Sequence, residues 1–350
     1  MSHINTAATA APLSSPLPDS RMLIDRFGRR INYVRLAVTD RCNLRCAYCM
    51  PEKGMRFLPN GQLLSFSEME RLMGILASLG VDKVRITGGE PFVRPGIMDF
   101  LRRLRQMEGI RQISITTNGV LTGQYLAELK DLGIAGINLS LDSLERERFL
   151  RITRRDAFDE VMACFHRALD DEIPLKINMV LMGDLNSADI IPMARLSKAY
   201  PVEVRFIEEM PFNGTDQGKS RLNWDYRRII RTLEEAFPGM QPREDAPTST
   251  SQNFTIPGHR GTVGVIAGFS RTFCGTCNRI RITSRGTLKT CLYGKGELDV
   301  KALLRSRADD SAIENAFRLQ VRRRFKDGWE AEQDARDGTG VSESMSVIGG

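Results

Sequence analysis

The chain has 350 residues, 41% hydrophobic and 27% charged, with 50 basic against 43 acidic side chains and a net charge of +7. This composition suits a soluble globular protein with a large core, and the length suggests about two domains. There is no run of roughly 20 apolar residues for a membrane span and no secretory signal in the first 22, so the expected location is the cytoplasm; the mild positive excess suits an anionic ligand and does not demand nucleic acid.

Residues 1–22 are rich in Ala, Ser, Thr and Pro and read as a mobile tail. From Asn32 to about Pro211, short β-branched runs alternate with amphipathic stretches. The expected strands are 33–39, 83–87, 112–117, 136–140, 175–181 and 202–207. Between them lie helical patterns such as SFSEMERLMGILASL and DIIPMARLSKAY, with Ser65, Ser67, Gly80 and Gly133 as start and stop signals. Six strand–helix repeats imply a parallel sheet with right-handed crossovers, as a partial barrel or a doubly wound sheet. A polar stretch at 242–252 reads as a linker or exposed loop. β-like runs and a long basic helix through Lys326 follow, then a polar, Gly-rich end. The chain thus divides into a tail over 1–24, an α/β part over 25–241, a C-terminal region over 242–330 and a tail over 331–350.

The seven cysteines are expected to be free, metal-bound or catalytic, not disulfide-bonded. Cys164 falls in a helical pattern and reads as a buried small hydrophobe. Cys42, Cys46 and Cys49 follow C-x3-C-x2-C in the loop after the first strand. A structural zinc takes four ligands, and no fourth Cys or His is near; the histidines are His3, His166 and His259. Three thiolates suit a [4Fe–4S] cluster with one iron open, the alternative being a zinc loop that borrows a ligand. Tyr48, inside the loop, would shield the cluster or stack on a ligand. Cys274, Cys277 and Cys291 form a second group, C-x2-C-x13-C, which fits a second three-ligand cluster better than a zinc site lacking a ligand.

The carboxyl ends of the expected strands carry polar residues and glycines, where α/β barrels place their functional groups. Gly88-Gly89 would let a ligand approach the backbone. Arg279 and Arg281 share a strand face, as do Lys83 and Arg85, while Arg35 and Lys176 lie on the first and fifth strands. Singly, such cations belong at the surface; several on strands buried on both faces call for an anion. Arg322–Arg324 are expected on the solvated face of an amphipathic helix.

C-x3-C-x2-C resembles the signature of radical S-adenosylmethionine (SAM) enzymes. With the second cysteine group and the stretches VRITGGEPFVR, ISITTNG, INLSLDSL, KINMV, EVRFIEEM and FCGTCNRIRIT, the chain from about Asp25 to its final Gly-Gly resembles the GTP 3′,8-cyclase (MoaA) family of molybdenum-cofactor biosynthesis. The resemblance implies a partial TIM-type barrel of about six βα units, closed by a C-terminal cluster-bearing region. It implies two [4Fe–4S] clusters and SAM, whose cleavage gives a 5′-deoxyadenosyl radical, and conversion of GTP to (8S)-3′,8-cyclo-7,8-dihydroguanosine 5′-triphosphate. It assigns Gly89 to the SAM amino group, Ser140 to its ribose or carboxylate neighbourhood and Met210 to the adenine pocket, with Tyr48 beside them. It assigns Arg35, Arg85, Thr116, Lys176, Arg279 and Arg281 to GTP, with Lys83 joining by its parity with Arg85, and the purine at the open iron of the second cluster. Gly349 and Gly350 are expected to reach the cavity and organise the reacting ribose or a nearby cation. The implied partners are an electron donor, the cyclic pyranopterin monophosphate synthase accessory protein (MoaC) downstream and a second copy in a homodimer, with no membrane. The rival readings are another two-cluster radical SAM enzyme acting on a different nucleotide or a peptide, and a zinc-stabilised RNA-binding protein.

Overall fold

A computed structural model describes residues 22–212, 223–336 and 343–350. Most of the expected N-terminal tail, residues 1–21, lies outside the described residues. Leu23, by contrast, is buried in the short strand β1 (Leu23–Ile24), which pairs with β2 (Arg30–Ile31). The expected strands appear as β3 (Tyr33–Ala37), β4 (Lys83–Thr87), β5 (Gln112–Thr117), β6 (Gly136–Ser140), β7 (Leu175–Leu181) and β8 (Glu203–Glu208). After them come β9 (Gln241–Pro242), β10 (Ser251–Thr255), β11 (Thr262–Ile266), β12 (Arg279–Ile282), β13 (Thr287–Lys289) and β14 (Leu298–Asp299).

Among the described residues, twelve strands form one sheet, in the order β14-β13-β12-β3-β4-β5-β6-β7-β8-β11-β10-β9. The run from β12 to β11 is parallel throughout, which makes a partial TIM-type barrel. Its centre is the six expected strands. The C-terminal region lends β11 to one edge and β12 to the other, so the division at 241/242 runs along the chain while the sheet is continuous across it. The segment between β11 and β12 leads from one end of the parallel run to the other, and it carries Cys274 and Cys277.

Local sequence explains the elements. Ser65 caps the helix Phe66–Ser78: its hydroxyl accepts from the Glu68 N–H at 3.1 Å while Glu68 accepts from the Ser65 N–H at 2.7 Å, a capping box. Met69, Leu72, Met73, Ile75 and Leu76 form its buried face, each worth about 1.5–3 kcal/mol when fully buried. Gly80, with φ +84°, ends the helix in the left-handed region. Cys164 is buried on the helix Phe158–Asp170, as its periodicity implies.

The expected long basic helix is instead two, Val300–Arg305 and Asp310–Arg322. Arg307 adopts a positive φ between them, and Asp309 caps the second by accepting from the Ala312 N–H at 2.7 Å. The C-terminal end differs from a loose tail in its described parts: Gly328–Arg336 and Met345–Ile348 are helical, and Val347 and Ile348 are buried. No helix among the described residues is long and apolar enough to cross a membrane.

Candidate functional site

Strand alternation places one side chain in two on the inner face of the sheet, and here those positions are polar. Register aligns Arg281, Arg35, Arg85 and Ser114 in one row across β12, β3, β4 and β5, with Arg279, Tyr33 and Lys83 in the row before it. Above them opens a cavity of about 280 Å³. All six grouped cysteines line it, with Arg35, Arg85, Thr116, Arg279, Arg281 and Gly350 among the other residues. The first group follows the carboxyl end of β3, whereas Cys277 precedes the amino end of β12, beside the start of β3. The two groups therefore sit at opposite ends of a five-residue strand roughly 17 Å long.

Around the first group, burial pushes Cys42 up to about 12 with help from Glu90, Cys46 well above the ordinary thiol range with help from Asp142, and Cys49 up to about 11. Cys42 Sγ accepts from the Leu44 N–H at 3.4 Å and from Asn118 Nδ2 at 3.6 Å, and Asn118 also holds Asn43 at 2.7 Å. Glu90 is fully buried and accepts from the N–H groups of Phe92 and Asn118 and from the Thr117 hydroxyl. Asp142 accepts from the Tyr48 hydroxyl at 3.1 Å and the Val180 N–H at 2.8 Å. Burial raises both carboxyls to about 7.

Gly88 and Gly89 line the cavity, but the need for glycine there comes from the other side. A Cβ on Gly88 would lie 2.5 Å from the Thr39 carbonyl oxygen, and one on Gly89 would lie 2.2 Å from that of Arg41. The pair is glycine so that the loop can press against the backbone that leads into the cysteines; the expected reason, ligand access alone, is incomplete. Ser140 and Met210 line the same cavity.

The second group stands among cations. Burial pushes the Cys277 thiol up, but the guanidiniums of Arg279 and Arg324 outweigh it and bring it to about 7. Burial raises Cys274, and it raises Cys291 to about 11. Arg324 corrects the expectation of a solvated face: it is buried, and Nη2 lies 3.3 Å from Cys277 Sγ. Arg271 is buried too, between the rings of Tyr293 and Trp329 at 3.5 and 3.8 Å, and pairs with Glu332 at 2.5 Å.

Several buried polar atoms facing this space have no hydrogen-bond partner among the described residues: Arg35 Nε, Thr116 Oγ1, Asn178 Oδ1, Arg205 Nε and Arg279 Nε. Such orphans are costly unless a ligand meets them, and guanidiniums suit phosphate oxygens. Burial lowers Arg35 well below its ordinary value and lowers Arg281 and Arg205 to about 10, a depression that an anion would relieve.

Lys83 and Lys176 are not among the residues lining this cavity. Lys83 lies over the Tyr33 ring at 5.7 Å, one row nearer the amino ends of the strands, and Lys176 is half exposed and paired with Glu203 at 2.6 Å. Gly350 O accepts from Arg35 Nη2 and, at 2.8 Å, from the Thr87 hydroxyl, while Gly349 O accepts from Arg281 Nη1. Ser344, from the same segment, donates to the Cys49 carbonyl at 2.6 Å. Arg205, which donates to Asn138 at 2.5 Å, has the inward parity that Lys83 and Arg85 share, so the parity argument extends to it. Arg271, Asp142 and Glu90 carry no comparable local signal.

Three thiols at each end, with N–H donors aimed at the sulfurs, form a donor set that fits an iron–sulfur cluster at each group. No three Cys, His, Asp or Glu side chains among the described residues close around the space of a single ion; a cubane takes its thiolates on separate irons.

Comparison with known proteins agrees with this chemistry. Residues 36–197 match the family model "Radical SAM superfamily", and residues 202–329 match "Molybdenum Cofactor Synthesis C". The chain is 41% identical over 308 residues to "GTP 3′,8-cyclase, mitochondrial" of Arabidopsis thaliana, covering 88% of this chain and 79% of that protein. It is 42% identical over 309 residues to "GTP 3′,8-cyclase" of Heliobacterium modesticaldum, covering 85% and 92%. Against "Molybdenum cofactor biosynthesis protein 1" of Bos taurus it is 41% identical over 297 residues, covering 85% of this chain but spanning only 47% of that longer protein. Among solved structures, SuiB of Streptococcus suis shares the fold with a TM-score of 0.59 at 12% identity, covering 91% of this chain and 77% of that one.

Proposed function

The chain belongs to the GTP 3′,8-cyclase family of radical SAM proteins, and we propose that it carries out the cyclisation for which that family is named. GTP becomes (8S)-3′,8-cyclo-7,8-dihydroguanosine 5′-triphosphate, the first step of molybdenum-cofactor biosynthesis. The observation that supports this most is one cavity with a three-thiol group at each end and a row of arginines between them. When bound, the two [4Fe–4S] clusters and SAM would supply the radical chemistry: removal of the ribose C3′ hydrogen atom, closure of C3′ onto purine C8, and one electron and one proton returned to the purine to give the 7,8-dihydro product.

The chain's own residues bind, orient and exclude water. Cys42, Cys46 and Cys49 hold the first cluster; Cys274, Cys277 and Cys291 hold the second. Tyr48, Gly89, Ser140 and Met210 receive SAM, with Asp142 fixing the Tyr48 hydroxyl. Arg35, Arg85, Thr116, Arg279 and Arg281 hold GTP, joined by Arg205, whose buried Nε makes no hydrogen bond and only a long ion pair with Glu203 at 3.7 Å. Lys83 and Lys176 extend the positive charge toward the amino ends of the strands, where a triphosphate would reach them. Arginine stays charged when desolvated, and each charge-assisted contact is worth about 1.5–3 kcal/mol. Gly349 and Gly350 are held by Arg35, Thr87 and Arg281 and orient the reacting ribose.

A cytoplasmic setting suits the free cysteines among the described residues. An electron donor, MoaC as recipient of the product and a homodimer complete this reading and rest on family likeness alone. The deciding experiment is an anaerobic assay of the reconstituted protein with GTP, SAM and a strong reductant. GTP-dependent formation of 5′-deoxyadenosine together with the 3′,8-cyclo product is expected. SAM cleavage stimulated by a peptide or another nucleotide, with GTP untouched, overturns it.

A further inference from the structure

Arg324 lies just past the helix Asp310–Arg322, and its side chain is only 4% exposed. It reaches both arms of the second cysteine group. Nη2 is 3.3 Å from Cys277 Sγ and 3.2 Å from the Arg279 carbonyl, and Nη1 is 3.0 Å from the Cys277 carbonyl. Nε donates to the carbonyl of Thr290, beside Cys291, at 3.1 Å. The charge is only partly balanced. Asp25 Oδ2 lies 3.4 Å from Nη1, but the same oxygen is held by Arg29 Nε at 2.6 Å, and Arg29 Nη1 donates to the Cys274 carbonyl at 2.9 Å. One carboxylate thus serves two guanidiniums, each touching a different cysteine of the group.

A clamp on the loop would need only the carbonyl contacts. The contact to Sγ does something else. A cation donating to a ligating sulfur, in a region that water does not screen, lowers the energy of an extra negative charge on the cluster, and hydrogen bonds to sulfur are among the levers that set its potential. The first group has no such donor among the described contacts: Cys42 Sγ accepts from an amide side chain and a backbone N–H, and Glu90 and Asp142 lie nearby.

We propose that Arg324 tunes the reduction potential of the cluster held by Cys274, Cys277 and Cys291, keeping it above that of the first cluster. This rests on the reading that the second group carries a cluster. The redox step is the addition of one electron, from a dye mediator, to that cluster, with no bond made or broken.

The test is an anaerobic potentiometric titration of the reconstituted full-length protein followed by electron paramagnetic resonance, with Cys274→Ala assigning the wave of the second cluster. In the wild-type protein the second cluster's wave should lie above the first. Arg324→Gln should disfavour reduction of the second cluster about tenfold, a downward shift of ~59 mV for one electron, and leave the first wave in place. Arg324→Lys should fall between, and Arg323→Gln, one exposed residue away, should move neither wave. An unmoved second wave in Arg324→Gln, with iron and sulfide at wild-type levels, overturns the proposal and leaves Arg324 a clamp. So does a second wave at or below the first in the wild-type protein. If Arg324→Gln fails to hold its cluster, Arg324→Lys decides: a lowered wave supports the proposal and a coincident one refutes it. Wild-type protein with a single wave and one cluster's worth of iron would overturn the two-cluster reading first, and the proposal with it.

Discussion

Around Cys42, Cys46 and Cys49 the charged groups acting on the thiols are carboxyls, Glu90 and Asp142, both raised by burial to about 7, while the guanidinium of Arg45 is turned to the Cys42 and Leu44 carbonyls. Around Cys277 they are guanidiniums, Arg279 and Arg324, with Arg271 on the same cavity wall. The two groups present the same number of thiols to the same cavity, with carboxyls nearer the sulfurs of the first and guanidiniums nearer Cys277 of the second. Cysteine spacing sets how many ligands a cluster receives; the residues packed behind the sulfurs set what the open side accepts. An acidic setting suits a ligand with a sulfonium and an amino group, and a basic one suits a triphosphate.

The largest effect that would break this comparison comes from emptying each group in turn. Changing Cys42, Cys46 and Cys49 to Ala should abolish SAM cleavage and remove half the iron. Changing Cys274, Cys277 and Cys291 to Ala should also remove half the iron, yet chiefly damage GTP binding. Equal loss of GTP affinity in the two variants, measured by anaerobic equilibrium binding, would dissolve the division of labour.

Next in size are the arginines of the basic side. Arg279→Ala or Arg281→Ala should weaken GTP binding roughly 10- to 150-fold, about 1.5–3 kcal/mol, with both clusters retained. Unchanged affinity with full iron content would move these arginines out of the site. Deleting Gly349 and Gly350 tests the segment that touches both regions. Clusters and fold should survive, while misplacement of the reacting atoms costs about 100-fold in the rate of product formation, read by single-turnover assay. Product at the full rate would reduce the pair to a passive end.

The smallest effect concerns the acidic side. Burial raises Asp142 above its ordinary value to about 7, so its ionisation is disfavoured by folding. Its contribution is fully present below about pH 4 and is lost as pH rises through about 7. Asp142→Asn keeps an acceptor for the Val180 N–H and should lose that slope. Thermal melts between pH 5 and 8 should therefore fall more steeply for the wild-type protein than for the variant, and parallel curves would refute the shift.

The strands from β3 to β8 were legible because β-branched runs alternate with amphipathic helices, and both cysteine groups were legible from spacing alone. What the sequence hid were contacts made at long range. Arg324 looks like one member of a basic run, yet Ile313, Phe317 and Val321 are all buried on the preceding helix, and position 324 continues their stripe. The run of three arginines masked that periodicity. Arg271 owes its place to Tyr293 and Trp329, which local pattern does not bring to it. Parity placed Arg35, Arg85, Arg279 and Arg281 well because period-two alternation holds in a barrel wall. It could not say how deep the cavity runs, and so it did not separate Lys83 and Lys176 from the residues that line it.

The pairing of β12 with β3 has a consequence for how the protein is made. Tyr33 and Arg279 are partners separated by 246 residues, so at roughly 5–20 residues per second the ribosome needs about 12–50 s between them. During that interval one edge of β3 stands open, since β4 occupies only the other. An unpaired parallel edge recruits foreign strands, and distant pairings are the slow ones to form. The nascent chain is therefore most vulnerable to aggregation late in translation, when most of the barrel has been made but its closing edge has not.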